Sequence, residues 1–196
     1  EIPRNNSAMR KMMFAGFGTM LALSACGPKN MPENPLLKSQ RSEELADQLA
    51  GLVISEDPAS ADPAIRSEIN TQIERAKRDL IAAQNAQSGG MGGPLLTMGE
   101  NVLGFALYKD DVLSFSSDFY SEPGADLHVY LTTAVDPRDV EFPDETAIDV
   151  ARVDYPYGAL SFRVPAVNNP EQYRTIVLWE KTFKRLYGFG QLAKLQ

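Results

Sequence analysis

From residue 95 onward, hydrophobic residues recur at every second position, the spacing of a half-buried β-strand. Turn-forming residues separate these short runs, as at Lys109-Asp110 and at residues 122–124 (EPG). Short alternating runs joined by tight turns are typical of an antiparallel β-sandwich. The pattern predicts a mainly β, jelly-roll-like domain over residues 95–196. Its runs are centred on Leu103, Phe105 and Leu107, on Leu113 and Phe115, on Leu127, Val129 and Leu131, on Leu160, Phe162 and Val164, and on the stretch 173–179.

Before residue 88 the apolar spacing is that of amphipathic helices. Ser42 suits an N-cap, and Asp57-Pro58 ends the first pattern. Asp62 followed by Pro63 predicts the start of a second helix, which ends near Gln87. A helical hairpin is therefore predicted over 41–87, packed on itself or on the β domain, with a docking element as the alternative. The glycine-rich residues 88–94 predict a linker. The two apolar stripes are Leu45, Leu49, Leu52 and Val53, and Ile65, Ile69, Ile73, Ala76 and Leu80.

Residues 1–25 have the order of a secretory signal. Arg10 and Lys11 precede an apolar run over 12–23, which is too short for a typical membrane-spanning helix. The run ends in the letters LSAC at residues 23–26. This order resembles the bacterial lipoprotein signal, in which a leucine and two small residues precede the acylated cysteine. The alternatives are an uncleaved signal anchor and a chance cysteine after an apolar run.

The resemblance to lipoprotein signals implies that Cys26 becomes the acylated N-terminus and holds the protein on the bacterial cell envelope, facing the periplasm. Gly27 stands where an aspartate would resemble an inner-membrane retention signal, so the outer membrane is favoured over the inner membrane. Residues 26–40 contain three prolines and predict a lipidated tether.

Composition narrows the classes of function. The chain has 196 residues, a net charge of −7, one cysteine (Cys26) and one histidine (His128). An acidic surface repels phosphate backbones, so nucleic acid is not expected as a partner. A single cysteine excludes a disulfide within the chain and a multi-cysteine metal site, and a single histidine excludes a two-histidine zinc site.

Two separated blocks of the β half resemble the DM-thirteen family, also called electron-transfer DM. The first block is a Gly-x-Asp-Leu-His-Val-Tyr-Leu strand, and the second is an aromatic and aliphatic block near the end of the chain. The resemblance covers about residues 95–195. The matching residues are Gly124, Asp126-Leu127-His128-Val129-Tyr130-Leu131, Tyr173, Ile176-Val177-Leu178-Trp179, Phe183, Tyr187-Gly188 and Leu192.

The DM-thirteen resemblance implies a redox accessory domain that acts beside cytochrome-like or haem-binding modules. The inference of electron transfer in that family rests on a cysteine directly after the tryptophan. Here that position is Glu180. A glutamate cannot cycle between thiol and disulfide. The thiol mechanism is therefore not carried over to this chain, and a redox role would need a bound cofactor.

His128 is the strongest single candidate for a site. Asp126, His128 and Tyr130 share one face of a predicted strand because they alternate along it. An imidazole there could bind haem or a metal ion, with Tyr130 and Glu180 as further cofactor-binding candidates. The alternative is a structural histidine hydrogen-bonded to backbone or to Tyr130. No cofactor, metal ligand or catalytic residue is predicted outright; haem and Ca²⁺ are the candidates to test.

The segment 136–154 is rich in carboxylates, which can hold Ca²⁺. It has no EF-hand spacing, and Pro137 and Pro143 favour an irregular, solvated acidic loop. The aromatic residues near the end of the chain are interpreted as core or strand-face packing. The acidic residues are Asp136, Asp139, Glu141, Asp144, Glu145, Asp149 and Asp154, and the aromatic ones are Trp179, Phe183, Tyr187 and Phe189.

The sequence as a whole predicts a lipid-anchored binding module outside the cytoplasm, an accessory to a membrane complex rather than an enzyme. Its partners are the membrane, through acylated Cys26, and an envelope or membrane protein. The first alternative is an electron-transfer accessory with bound haem. The second is a sandwich that binds Ca²⁺ or sugar.

Overall fold

The computed structural model describes residues 31–55 and 62–196; the predicted signal segment and Cys26 lie outside these ranges. Two helices, α1 (Pro35–Ser55) and α2 (Pro63–Gln87), precede the strands. Neither helix is long and apolar enough to cross a membrane. The strands are β1 (Met91–Thr97), β2 (Val102–Leu103), β3 (Phe105–Lys109), β4 (Val112–Phe115), β5 (Tyr120–Ser121), β6 (Leu127–Thr132), β7 (Ile148–Arg152), β8 (Ser161–Arg163), β9 (Thr175–Glu180), β10 (Arg185–Gln191) and β11 (Ala193–Lys194), with a short 3-10 helix at Pro170–Gln172 before β9.

The first helix begins at Pro35, so the prediction of an N-cap at Ser42 is wrong. The Asn34 side-chain oxygen accepts hydrogen bonds from the backbone N–H groups of Leu36 and Leu37, at 3.0 and 3.2 Å. Asparagine is a strong N-cap, and proline suits the first helical position. Ser42 is a buried residue inside the helix. The predicted tether therefore gives way to helix at residue 35 rather than continuing to residue 40.

The second helix follows its prediction, and the two helices form the predicted hairpin. Asp62 is the N-cap and accepts from the Ala64 N–H at 2.8 Å. The Gln87 side-chain N–H donates to the Pro35 carbonyl at 3.2 Å, which places the end of α2 beside the start of α1. The apolar stripes are only partly used, because Leu45, Leu52 and Ile65 are exposed while Ala76 and Ala83 are buried. Small alanines let the helix backbone approach its neighbours closely.

The β half is one continuous antiparallel sheet in the order β7-β6-β9-β10-β1-β3-β4-β8, with β11 pairing β1 and a separate β2–β5 pair. Its two edge strands, β7 and β8, approach each other, so the sheet curls into a nearly closed barrel or sandwich. The predicted class, mainly β after a helical hairpin, is confirmed. The predicted linker 88–94 is wrong in part, because β1 begins at Met91. A Cβ at Gly93 would lie 1.9 Å from the Gln191 carbonyl oxygen, so glycine there permits close strand contact.

The inner face of the curled sheet carries the main core. Alternating residues of β4, β6 and β9 meet there, as the period-two pattern predicts. In β3 the prediction is wrong by one residue, because Ala106 and Tyr108 enter this core instead of Phe105 and Leu107. A smaller cluster lies on the other face of β6, β9 and β10 and consists of Tyr130, Val177 and Phe189, with Phe142, Trp179 and Leu186 packed against it. The main core is made of Leu95, Val102, Ala106, Tyr108, Leu113, Phe115, Phe119, Leu127, Val129, Leu131, Val153, Val164, Ile176, Leu178, Tyr187 and Leu192.

Candidate functional site

The register of β6 and β9 separates the predicted site residues into two groups. His128 lies opposite Trp179, and the next residue back, Leu127, lies opposite Glu180. Side chains alternate between the faces of a strand. His128 therefore belongs to the outer face with Tyr130, whereas Glu180 belongs to the inner face. The structure brings the side chains of Asp126, His128 and Tyr130 together, as the spacing predicts, and places the Glu180 side chain on the opposite face of the sheet.

A polar cluster surrounds His128 on the outer face and consists of Asp126, His128, Tyr130, Asp149 and Lys181. The His128 Nδ1 lies 2.7 Å from Asp149 Oδ1, and its Nε2 lies 3.2 Å from Asp126 Oδ1. The second Asp149 oxygen accepts from the Tyr130 hydroxyl at 3.3 Å and from Lys181 Nζ at 3.1 Å. Asp149 thus contacts three other members of the polar cluster, which are His128, Tyr130 and Lys181.

Contacts within the polar cluster shift the pKa values of Asp149 and Tyr130. Burial raises the pKa of Asp149, but hydrogen bonds from His128 and Lys181 outweigh it, so the net pKa is lowered. Burial, with the negative charge and hydrogen bonding of Asp149, raises the pKa of Tyr130 to about 12. At neutral pH the cluster therefore holds an ionised Asp149 next to a protonated Tyr130 hydroxyl.

A haem iron or a metal ion does not fit His128 as it stands. Both ring nitrogens face carboxylate oxygens, and the side chain is only 14% exposed. A metal binds the lone pair of a neutral imidazole nitrogen. Ligation would therefore have to break the contact with Asp126 or with Asp149. Over the described ranges 31–55 and 62–196, no group of three or more His, Cys, Asp or Glu residues is arranged to hold a metal ion.

Glu180 is fully buried, and its carboxylate is used by the backbone. One oxygen accepts from the Asp126 N–H at 2.8 Å and the other from the Phe183 N–H at 2.6 Å. Burial raises the pKa of Glu180, and these backbone hydrogen bonds outweigh it and lower the net pKa. The carboxylate joins the loop before β6 to the β9–β10 turn. This geometry gives Glu180 a structural role rather than the cofactor-binding one considered from sequence.

The acidic segment is more ordered than its sequence indicates. β7 lies within it and carries Asp149 into the polar cluster. Asp144 caps a turn by accepting from the Thr132 hydroxyl at 2.6 Å and from the Thr146 N–H at 2.8 Å. Asp136 is paired with Arg138. With Asp154, which lies 3.6 Å from Arg152 Nε, four of the carboxylates considered for Ca²⁺ already have partners within the protein.

An open groove of about 590 Å³ adjoins the polar cluster, and we call it the aromatic groove. The Phe142 ring lies 5.4 Å from the Tyr130 ring and 5.1 Å from the Trp179 ring, between centroids. Lys181 and Lys184 lie along it. Trp179 thus lines a ligand-accessible surface rather than the main core. Other lining residues are Val140, Glu141, Pro143, Asp144 and Glu145.

Residues 104–192 match the family model described as Electron transfer DM13. This segment is a DM-thirteen domain. The match confirms the resemblance drawn from the two sequence blocks and covers β3 to β10 together with Leu192. The family description associates the domain with electron transfer. No curated protein and no solved structure matches the chain.

Three members of the polar cluster and the aromatic groove are not evident from the sequence. Asp149 was considered only as part of the acidic segment, although the alternating letters IDVAR at 148–152 are a strand signal. Lys181 and Phe142 had no signal, because each reaches the site through a turn or loop. Their positions depend on contacts between distant parts of the chain.

Proposed function

We propose that the chain is a lipid-anchored, non-enzymatic binding module of a bacterial envelope, an accessory to a membrane complex. Its DM-thirteen domain would engage a protein partner through the aromatic groove. The observation that carries this proposal is the groove itself, where Trp179 and Phe142 line an open surface. Phe183, in the adjoining β9–β10 turn, is 67% exposed. Exposed aromatic residues beside a groove are the usual anchors of protein interfaces.

The chemistry of the groove supports binding rather than catalysis. In the polar cluster beside the groove, both His128 ring nitrogens and Lys181 Nζ are paired with carboxylate oxygens, so neither side chain is free to act as a nucleophile or as a base on a substrate. Lys181 and Lys184 add positive charge beside the aromatic rings. Glu141, Asp144 and Glu145 also line the groove, so a partner segment with an apolar anchor flanked by charges of both signs would complement this surface.

The anchor part of the proposal rests on the lipoprotein-like letters LSAC at 23–26. The start of α1 at Pro35 leaves eight residues after Cys26 before the helix begins. Such a segment spans at most about 30 Å when extended. An acylated Cys26 would therefore hold the hairpin and the β domain close to the membrane surface, where an envelope protein is the accessible partner.

Photocrosslinking in native membranes tests the partner. We expect a photoreactive residue at Phe183 or Val140 to give the same discrete crosslinked product. The same residue at Ile81, exposed on α2, serves as the control and should not give it. In a Trp179→Ala variant that keeps its circular dichroism spectrum, the product from position 183 should be lost. Equal crosslinking from all three positions would contradict the proposal.

A separate experiment tests the anchor. Mass spectrometry of the mature protein should find acyl chains on Cys26, and Cys26→Ser should release the protein from the membrane fraction. Normal membrane retention of Cys26→Ser would overturn the anchor and leave the groove proposal standing. The two parts can therefore fail independently.

A redox accessory role is the second candidate, and the family description of residues 104–192 favours it. Since the family cysteine is replaced by Glu180 and both His128 nitrogens are paired, the cofactor would have to come from the partner protein. Haem staining of the photocrosslinked product tests this. A stained product supports electron transfer, and a colourless one from cells that make haem proteins counts against it.

A further inference from the structure

A second cavity, of about 800 Å³, lies at one end of the barrel, and we call it the end cavity. It is formed by the start of β1, the β3–β4 turn, the segment before β9, and β11. A cavity of this volume suits a small organic molecule, and the mouths of β-barrels are common ligand sites. Its walls include Met91, Tyr108, Asp111, Arg174, Leu192 and Lys194.

Tyr108 gives the end cavity an unpaired polar group. The residue is only 3% exposed, and its hydroxyl has no hydrogen-bond partner within the part of the chain that the structure describes. Buried hydroxyls are nearly always paired, because an unpaired one loses its water without compensation. Since Tyr108 lines the cavity, a molecule that enters the cavity can supply the missing partner.

The chemistry around Tyr108 narrows the class of that molecule. Burial, and then the negative charge of Asp111, raise the pKa of Tyr108, so the phenol keeps its proton at neutral pH. The phenol therefore offers a donor, while the Asp111 carboxylate only accepts. A hydroxyl group of a bound molecule can accept a hydrogen bond from the Tyr108 phenol and donate one to the Asp111 carboxylate. A carboxylate or phosphate cannot donate and would be repelled by Asp111.

The charges around the end cavity are balanced, which disfavours a ligand with net charge. Lys109 Nζ donates to the carbonyls of Ala86 and Ser88 at 2.7 and 2.8 Å, so its ammonium group already has two acceptors within the protein. The Arg174 Nε donates to the Glu171 carbonyl at 3.2 Å. The cavity is lined by three cationic residues and three acidic ones, namely Lys109, Arg174 and Lys194, and Asp110, Asp111 and Glu171.

We propose that the end cavity binds a small uncharged polyhydroxy compound of the sugar or polyol class. Its hydroxyl groups would accept from Tyr108 and donate to Asp111, while its carbon skeleton lies against Met91 and Leu192. This site is separate from the aromatic groove, which shares no lining residue with it. It is also independent of the lipid anchor.

The test uses the full chain with D-glucose, N-acetylglucosamine and myo-inositol as neutral probes, and sodium acetate and ethylammonium chloride as charged ones. Saturation-transfer NMR should show saturable binding of at least one neutral probe. Tyr108→Phe and Asp111→Asn should each weaken that binding by about tenfold. Tyr155→Phe, which changes an exposed tyrosine outside the cavity, is the matched control and should bind as the wild type does.

Thermal unfolding of Tyr108→Phe without any probe gives a second readout that does not depend on the choice of sugar. Removal of an unpaired buried hydroxyl should leave the melting temperature unchanged or raise it. A clear fall would mean that water already pairs the hydroxyl, and would overturn the proposal. Failure of all three neutral probes, tighter binding of a charged probe, or unchanged binding by Tyr108→Phe would also overturn it.

Discussion

Gly124 leaves the space that the Glu180 side chain occupies, since a Cβ at residue 124 would lie 2.9 Å from Glu180 Cγ. The two residues come from the loop before β6 and from the end of β9, and both belong to the blocks that match the DM-thirteen family. The buried carboxylate then binds the backbone of Asp126 and Phe183. Where the DM-thirteen resemblance implies a cysteine, this chain has a carboxylate that joins two loops.

The first prediction concerns Glu180→Gln. The amide keeps the size of the side chain but replaces one acceptor oxygen with a donor that faces a backbone N–H. We expect the melting temperature at pH 7 to fall by roughly 4–8 °C. Glu43→Gln, the same change at an exposed position of α1, serves as the comparison for the effect of charge alone.

The same variant should change the dependence of stability on pH. The folded pKa of Glu180 lies below its ordinary value of 4.5, so ionised Glu180 stabilises the fold above that pH. This contribution is lost as the pH falls through the folded pKa. The difference in melting temperature between wild type and Glu180→Gln should therefore shrink below pH 4.5. A difference that stays constant down to acid unfolding would contradict the carboxylate role.

The second prediction couples Gly124 to Glu180. Gly124→Ala should lower the free energy of unfolding by about 1–3 kcal/mol, because the new methyl group overpacks a buried site. In a Glu180→Ala background the same change should cost much less, since the carboxylate is no longer there. A double-mutant cycle measured in urea checks this. Gly51→Ala, on an open helix surface, is the control and should not be destabilising. Additive costs would show that the two residues do not compete for space.

The third prediction concerns Tyr130, whose pKa is raised to about 12 from 10.0. A raised pKa means that the fold favours the protonated phenol. The corresponding stability is fully present below pH 10.0 and is lost as the pH rises to about 12. Tyr130→Phe should therefore flatten the loss of stability over this range. The measurement is urea unfolding at several alkaline pH values, with Tyr155→Phe as the control.

Asp149→Asn tests the source of that shift. The asparagine side chain has no negative charge, so the pKa of Tyr130 should fall towards its ordinary value, although burial still raises it. An ultraviolet difference titration of Asp149→Asn against Asp149→Asn/Tyr130→Phe isolates the one phenol. If the pKa of Tyr130 is the same with and without the Asp149 charge, Asp149 does not contribute to raising it.

Local pattern predicted much of the fold, and long-range contacts account for what it missed. The alternation around His128 placed Asp126, His128 and Tyr130 on one face correctly, because strand periodicity is a property of neighbouring residues. Glu180 could not be interpreted the same way. Its role depends on Gly124, which lies in another loop, and no local spacing relates the two residues. Similarly, Asn34-Pro35 has the chemistry of a helix start, but the prolines around it favoured a tether.

The fourth prediction concerns Asn34, which attaches the helical hairpin to the β domain. Its side-chain oxygen caps α1, and its side-chain N–H₂ donates to the carbonyls of Phe115 and Leu160 at 2.9 and 3.0 Å. Asn34→Asp keeps the cap but turns an oxygen towards two carbonyl oxygens, so it should weaken the attachment and leave α1 formed. Asn34→Ala should lose both functions and cost about 1–2 kcal/mol for the cap alone.

Hydrogen exchange separates the two effects of the Asn34 variants. In Asn34→Asp, protection should fall at the N–H groups of Phe115 and Ser117, while α2 stays protected. In Asn34→Ala, protection should also fall across the first turn of α1. Gln40→Ala, which removes only an exposed contact with the Ser117 N–H, is the control and should alter Ser117 alone. If Asn34→Asp matched wild type at every amide, the attachment of the hairpin would have to rest on its apolar contacts instead.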